Sequence, residues 1–284
     1  MARRDGRNPD NSDGAWFIDT RCINCGASPH VGGDLIDEVR GRCVFVRQPE
    51  NALEIERAWL AVDVCPTNSV GAPANLPRPR RTFPVPVIQG VFLCGFNSVR
   101  SFGAHSWLVL RPDGNLMIDS PSFNRRLVPW LDELGVVSTI LLTHRDDVAD
   151  AARWAEHYGS RVVIHSDDAS AARFATDVVT GADAEVVADG VIAVPVPGHT
   201  RGSIAYVVDE QFAFTGDSLA WDPVADRLEA FEDACWYSWS VQRTSLARLA
   251  DYSFSTVLPG HGKWSPRLSP ADMRVRLLDL VSRM

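Results

Sequence analysis

Seven residues in four short runs have the types and spacing that could hold a metal ion. The first run, Leu141-Leu142-Thr143-His144-Arg145-Asp146-Asp147-Val148-Ala149-Asp150, ends an apolar segment in a threonine, a histidine and three carboxylates. Imidazole plus carboxylate suits zinc, iron or manganese. If a helix starts near Asp146, then Asp146 and Asp150 are four apart and share a face. A solvated helix start would use the same residues, because acidic groups suit the positive end of a helix. The other runs are Pro197-Gly198-His199-Thr200, Thr215-Gly216-Asp217-Ser218 and Pro259-Gly260-His261-Gly262. Glycine beside each polar residue lets the backbone turn tightly and approach closely. A lone Gly-His is more often a loop histidine; the order of the four runs is the specific signal.

A second set of residues is sulfur. Cys22-Ile23-Asn24-Cys25 lies in a polar, Gly-rich stretch, Cys43 opens a strand-like run, and Cys65-Pro66 follows a helical one. A C-x-x-C in a cytosolic chain points to metal or redox chemistry before disulfides. Cys94 and Cys235 lack partners at ligand spacing and read as buried apolar residues.

The elements that would position these groups fall into two blocks. Leu53, Ile55, Trp59, Leu60 and Val64 recur at helical spacing over 52–64, after a strand over 43–47. Residues 71–86 are Pro- and Arg-rich without a period, which predicts an extended linker. From Val87 onward strand-like and helix-like segments alternate, with hairpins early and strand–helix units in the middle. Strands are expected at 138–142, 191–196, 203–208, 211–214 and 256–258, each leading towards one of the four runs, with helices at 149–158, 240–252 and 270–283. The domain boundaries are therefore 15–72 for a small first unit, 73–86 for a linker and 87–284 for a layered α/β unit. The first fourteen residues are polar and predict disorder.

Composition excludes several classes of function. The net charge of -8 argues against a general nucleic-acid binder, because phosphate contacts need basic patches. No apolar run approaches the roughly 20 residues that span a bilayer, and the N-terminus lacks the apolar core of a secretory signal. A cytoplasmic chain with a small-molecule substrate, no membrane and no nucleic-acid partner is expected.

The order H…D, GH, GD, GH resembles the signature of the metallo-β-lactamase superfamily, over the two thirds of the chain from Val87 onward. The resemblance implies a four-layer αββα sandwich with one or two metal ions at the edge of its paired sheets. The family's first motif is H-x-[H/E/D]-x-D-H. Its first histidine falls on His144 and its third position on Asp146, with Asp147 as the alternative. Val148 and Ala149 occupy the next two ligand positions and cannot coordinate, so the D-H pair is displaced onto Asp150 and Ala151. The resemblance then implies a first site of His144, Asp146, His199 and Asp217, and a second of Asp217, Asp150 and His261. Such an oxygen-rich first site leans from zinc towards iron or manganese. The first block resembles a small single-cluster ferredoxin, an α+β unit in which C-x2-C-x2-C and a distant C-P hold an iron–sulfur cluster. Cys22, Cys25 and Cys65 match, while Ser28 stands at the third position; cluster, zinc and no metal are the three readings.

Three functions follow. The first is a metal-dependent hydrolase of an ester or thioester, with Asp150 orienting or deprotonating the attacking water. The second is an iron-dependent oxidoreductase in which the ferredoxin-like head, served by a redox partner, feeds electrons to a mono- or di-iron site. The third is a degenerate, non-catalytic binding protein, to which Ala151 and Ser28 point. His105 is a candidate pocket residue, His165 a structural one, and Trp221, Trp236, Tyr237 and Trp239 are candidates for a pocket wall.

Overall fold

The computed structural model describes residues 2–284. The chain begins with a small unit of β1 (Phe17–Ile18), α1 (Ala27–Gly32), β2 (Ile36–Val39), β3 (Arg42–Phe45), α2 (Ala52–Val64) and β4 (Val70–Gly71). β1 pairs with β4 and β2 with β3, both antiparallel. α2 forms over the predicted residues. Its cap is Asn51, whose side chain accepts from the Glu54 amide at 3.0 Å, a contact worth about 1 kcal/mol. Its apolar stripe packs Ala58, Trp59 and Ala61 against Trp16, Leu35 and Phe45. α1 rests on α2 through the Ser28 hydroxyl, which donates to the Ala61 carbonyl at 3.1 Å.

Two expectations fail here. The polar N-terminal segment is ordered from residue 2; Met1 lies outside the described residues. Asn11 is buried, and its amide donates to the Ile18 carbonyl at 2.9 Å while its oxygen accepts from the Ile18 and Phe45 amides. One side chain thus satisfies two strand backbones, which composition does not reveal. The linker is shorter than 73–86, because its last two residues open β5 (Val85–Ile88). It is also pinned. Asp63, buried at the end of α2, pairs with Arg78 and accepts from the Thr82 hydroxyl at 2.6 Å.

After β5 come β6 (Val91–Leu93), β7 (Trp107–Val109), β8 (Asn115–Ile118), α3 (Val128–Leu134), β9 (Val137–Leu141), α4 (Ala151–Tyr158), β10 (Arg161–His165) and β11 (Asp177–Val179). They form one mixed sheet in the order β11-β10-β9-β8-β7-β6-β5. Then follow β12 (Glu185–Ala188), β13 (Val191–Pro195), β14 (Ile204–Val208), β15 (Phe212–Gly216), β16 (Ala220–Asp222), β17 (Arg227–Glu229), α5 (Trp239–Leu249), β18 (Thr256–Pro259) and α6 (Pro270–Arg283). β12-β13-β14-β15-β18 make the second sheet.

Alternation along the strands builds the layers. Ala193, Ile204, Tyr206, Val208 and Phe214 face the first sheet. Val194, Ala205, Val207 and Ala213, the neighbours in between, pack with Leu246 and Leu249 of α5 and Met273 and Leu277 of α6. Both faces are therefore covered, giving the expected four-layer sandwich. β15 and β18 run parallel, with Gly216 opposite Pro259, so the residues just beyond them, Asp217 and His261, emerge side by side. The Ile204 amide bonds the Thr143 carbonyl at 2.8 Å and ties the end of β9 to the second sheet. The tips of two buried aromatics do the same: Trp107 Nε1 donates to the Pro259 carbonyl and the Tyr206 hydroxyl to the Leu142 carbonyl. No helix among the described residues is long and apolar enough to cross a membrane.

Candidate metal centre

His144, His199 and Asp217 each direct one ligand atom into a common space, with those atoms within 4.8 Å of one another. Asp147, Asp217 and His261 form a second such group. Asp217 is shared, and both of its oxygens lie within 2.9 Å of His261 Nδ1. Oδ2 lies 3.7 Å from His144 Nε2 and 3.6 Å from His199 Nε2, while Oδ1 lies 2.8 Å from His261 Nδ1.

The two histidines of the first group are held in a ligand-ready form. The Thr143 hydroxyl donates to Asp119 Oδ2 at 2.8 Å and so accepts from His144 Nδ1, 3.0 Å away. His199 Nδ1 donates to the Ala234 carbonyl at 2.6 Å. Each Nε2 is thereby left as the lone-pair nitrogen, aimed inward. Of the ten buried side-chain atoms without a hydrogen-bond partner among the described residues, four are here: both Nε2 atoms and both oxygens of Asp147. Leaving such atoms unpaired costs about 1–3 kcal/mol each, so their convergence calls for a cation. The charges agree. Burial pushes the Asp147 carboxyl well above its usual range, and the Asp217, Asp119 and Asp146 charges push it further. Burial holds the His144 imidazole down, at about 4. Burial opposes ionisation of Asp217, but His261, His144 and His199 together outweigh it and keep this carboxyl below its usual range. A divalent ion would relieve the crowding of carboxylates.

His144, His199, Asp217 and His261 lie together, while the rest of the first run departs from the expected helix start. α4 begins only at Ala151, so Asp146 and Asp150 share no helical face. The segment before it is a turn with Ala149 at φ 41°. Ser120 shapes that turn: its hydroxyl donates to the Val148 carbonyl and accepts from the Asp150 amide, each at 3.0 Å. Asp150 turns away, into an ion pair with Arg100 and a 2.8 Å bond from the Phe123 amide. Asp147, which the sequence offered only as a substitute for Asp146, takes the inner position. Asp146 stays on the cavity side, half exposed, with Oδ2 3.7 Å from His199 Nε2. Gly260 makes room for the inner pair; a Cβ there would lie 2.7 Å from Asp147 Oδ2 and 2.9 Å from Asp217 Oδ1.

Sequence reasoning missed two buried carboxylates. Asp119, just after β8, accepts from the Thr143 amide at 2.8 Å as well as from its hydroxyl. Asp168 accepts from the Arg145 amide at 3.0 Å and the Thr200 hydroxyl at 2.6 Å, joining the His144 and His199 loops. An aspartate directly after an apolar strand was the available signal for Asp119. Replacing Thr143 with valine removes the acceptor for His144 Nδ1. Metal affinity should fall about 10–100-fold, as for other outer-sphere partners, read by competition with a chromophoric chelator.

A cavity of about 1220 Å³ opens from the centre. Trp236 and Tyr237 line it, as expected of part of the aromatic cluster, while Trp221 is buried in the core. His165 is structural, with Nε2 on the Gly181 carbonyl. His105 lies behind the cavity. Its Nε2 meets His30 Nδ1 of the first unit at 2.9 Å, and His30 stacks on Trp264 with ring centroids 4.0 Å apart.

Cys25 lines the same cavity as His199, Asp217 and His261. The loop 98–104 lies between them. Gly103, at φ +90°, packs so closely that a Cβ would come within 2.6 Å of Cys25 Sγ, and the neighbouring Phe102 carbonyl is 3.4 Å from His261 Nε2. All six cysteines are free. A hydrogen bond with the Cys43 thiol lowers the Cys22 thiol to about 7, while burial pushes Cys25 up to about 12. Cys65 Sγ accepts from the Ser69 amide at 3.3 Å. The Ser28 hydroxyl is committed to Ala61, which leaves Cys43 as the further sulfur beside Cys22.

The layered sandwich and its edge of histidines and aspartates define a metallo-β-lactamase-type protein. Residues 91–282 match the metallo-beta-lactamase superfamily, to which the chain belongs. Residues 18–72 match the 4Fe-4S single cluster domain of ferredoxin I. Among solved structures, FIM-1 from Pseudomonas aeruginosa in a mono-zinc form is 15% identical, with a TM-score of 0.52 over 70% of this chain and 93% of that one. The metallo-beta-lactamase DIM-1 exposed to ceftazidime is 18% identical, with a TM-score of 0.52 over 70% and 95%. An archaeal superfamily protein from Sulfolobus tokodaii is 19% identical, with a TM-score of 0.47 over 69% and 87%. At these identities the likeness is one of fold. No curated protein matches the chain.

Proposed function

We propose that this protein is a metal-dependent hydrolase of an ester or thioester. The observation that carries the reading is the pair of ligand groups sharing Asp217, with four unpartnered buried ligand atoms pointing between them. His144, His199 and Asp217 would hold one divalent ion, and Asp147, Asp217 and His261 a second. The bound metal would supply Lewis acidity and a water acidified to a pKa of about 7. The chain's own part is geometric. Thr143 and Ala234 fix the imidazoles, Gly260 admits two carboxylates, and Asp146 stands at the cavity wall within reach of a proton released there. Asp150, held by Arg100 and Phe123, orients the loop and does not meet the reacting atoms. The test is a thioester panel run with zinc-, iron- and manganese-loaded protein. His199→Ala should lower turnover by at least about 100-fold, beyond the loss of an outer-sphere partner; undiminished turnover would remove the assignment.

The iron-dependent redox reading rests on a separate observation, the opening of Cys25 into the same cavity as His261. Two histidines and one carboxylate are also a set that suits iron(II). Cys22, Cys25 and Cys65 would hold the iron–sulfur cluster, with Cys43 as the candidate fourth sulfur. Elemental analysis and a visible spectrum of anaerobically purified protein decide between the two readings. Iron with labile sulfide and an absorbance that bleaches on reduction supports the redox reading; zinc alone removes it.

A further inference from the structure

The mouth of the cavity carries two guanidinium groups that, among the described residues, stand outside any ion pair. Arg145 directly follows His144, and Arg201 follows His199 by two residues. Both are exposed, both line the cavity, and among the described residues neither has an ion pair. Arg100, on the same rim, is by contrast paired with Asp150. Asp146 feels the Arg145 charge and the exposed Asp233 also lines the cavity, but no acid there is within ion-pair distance of either arginine. Asp168 is buried and spends one oxygen, Oδ2, on the Arg145 amide and the Thr200 hydroxyl. Asp146 faces His199, and Asp167 lies 4.0 Å from His165. That one Asp168 oxygen ties the backbone of Arg145 to the loop that carries Arg201.

The same mouth also carries aromatics. Trp236 is 69% exposed, Phe102 55% and Tyr237 43%, yet all three line this one cavity. The Trp236 amide bonds the His199 carbonyl at 3.0 Å and the Tyr237 amide bonds the Gly198 carbonyl at 3.1 Å. The rings therefore ride on the loop that carries the ligand. The Arg201 guanidinium lies 4.9 Å from the Tyr237 ring centre, a contact that orients the group without consuming its charge. Large exposed aromatics beside cations outside any ion pair, all on ligand-bearing or adjoining loops, describe a recognition surface rather than a solvated rim.

We infer that Arg145 and Arg201, with the Phe102, Trp236 and Tyr237 platform, form a substrate subsite for an anionic group of carboxylate or phosphate type joined to an apolar or planar portion. This deepens the hydrolase reading and rests on it for the reaction: the scissile carbonyl sits at the centre and the anion is read at the rim.

The experiment is calorimetry on the purified, metal-loaded protein with naphthalene-2-sulfonate, a planar anion that ligates metals poorly, and with uncharged 2-naphthalenemethanol. The R145Q/R201Q double variant should weaken the sulfonate by at least about tenfold, the loss expected for charge-assisted contacts. Binding of the alcohol should change less than about twofold, and metal content should stay unchanged. Equal weakening of both probes, or unchanged sulfonate binding, overturns the subsite. A kinetic arm locates the charge. Thioesters carrying a carboxylate on the acyl side and on the thiol side are compared with neutral ones; a rise in KM in the double variant, with kcat kept, marks the side that the arginines read. If no thioester is cleaved while the calorimetric result holds, the subsite stands and the hydrolase assignment falls.

Discussion

Asp217→Ala should empty both halves of the centre at once, whereas Asp150→Asn should leave metal content intact. Asp217 is the carboxylate that belongs to both ligand groups. Removing an outer-sphere partner typically costs 10–100-fold in metal affinity, so removing a shared ligand must cost more than about 100-fold for each ion. Turnover should fall at least as far. Asp150 makes its contacts to Arg100 and to the Phe123 amide. Its loss should therefore appear as about 1 kcal/mol of stability, with metal retained. Asp147→Asn is the companion variant and should lower metal content. Elemental analysis of the three variants, beside a thermal melt, checks the assignment. Metal lost from Asp150→Asn but retained by Asp147→Asn would restore the displaced-motif arrangement and remove the one described above.

The second large effect is expected from a residue without a side chain. Gly260 is pinned on both sides: its amide donates to the Gly216 carbonyl at 2.8 Å and its carbonyl accepts from the His105 amide at 2.7 Å. The backbone has no direction in which to yield. In Gly260→Val, a Cβ lying 2.7 Å from Asp147 Oδ2 and 2.9 Å from Asp217 Oδ1 must displace the carboxylates instead. Shifts of this kind misplace ligands by about an ångström, which costs about 100-fold or more in a preorganised site. Metal affinity and turnover should drop together. A variant that keeps full metal affinity would show that the two carboxylates do not converge on an ion at this glycine.

Much of the fold was legible in the sequence because its signals are local. The continuous apolar runs of Val191 to Val196 and Ile204 to Val208 mark strands covered on both faces. The apolar stripe from Leu53 to Val64 marks α2. The Gly-His and Gly-Asp runs mark strand ends, and their order was enough to pick out four of the converging residues. The errors came where a distant residue supplies the hydrogen bond. Ser120 holds the turn before α4, and Asn11 holds the N-terminal segment against β1 and β3. Asp119 and Asp168 were missed for the same reason: each acts on a loop 24 or 23 residues away.

By itself, then, the sequence pointed to the residue types at the sheet edge, two histidines, an aspartate and a third histidine, each read from its place beside a strand-like run and from the order of the four motifs. It also determined that a cysteine-bearing α+β head precedes them. Only the tertiary structure decided which of three neighbouring aspartates turns inward, because the backbone at Ala149 is bent by Ser120 and Asp150 is claimed by Arg100 and Phe123. It likewise decided that Cys25 of the head and Arg145 and Arg201 of the ligand loops open onto a single cavity. Such neighbours are set by packing between units and loops far apart in the chain, and no spacing rule along the chain carries that information.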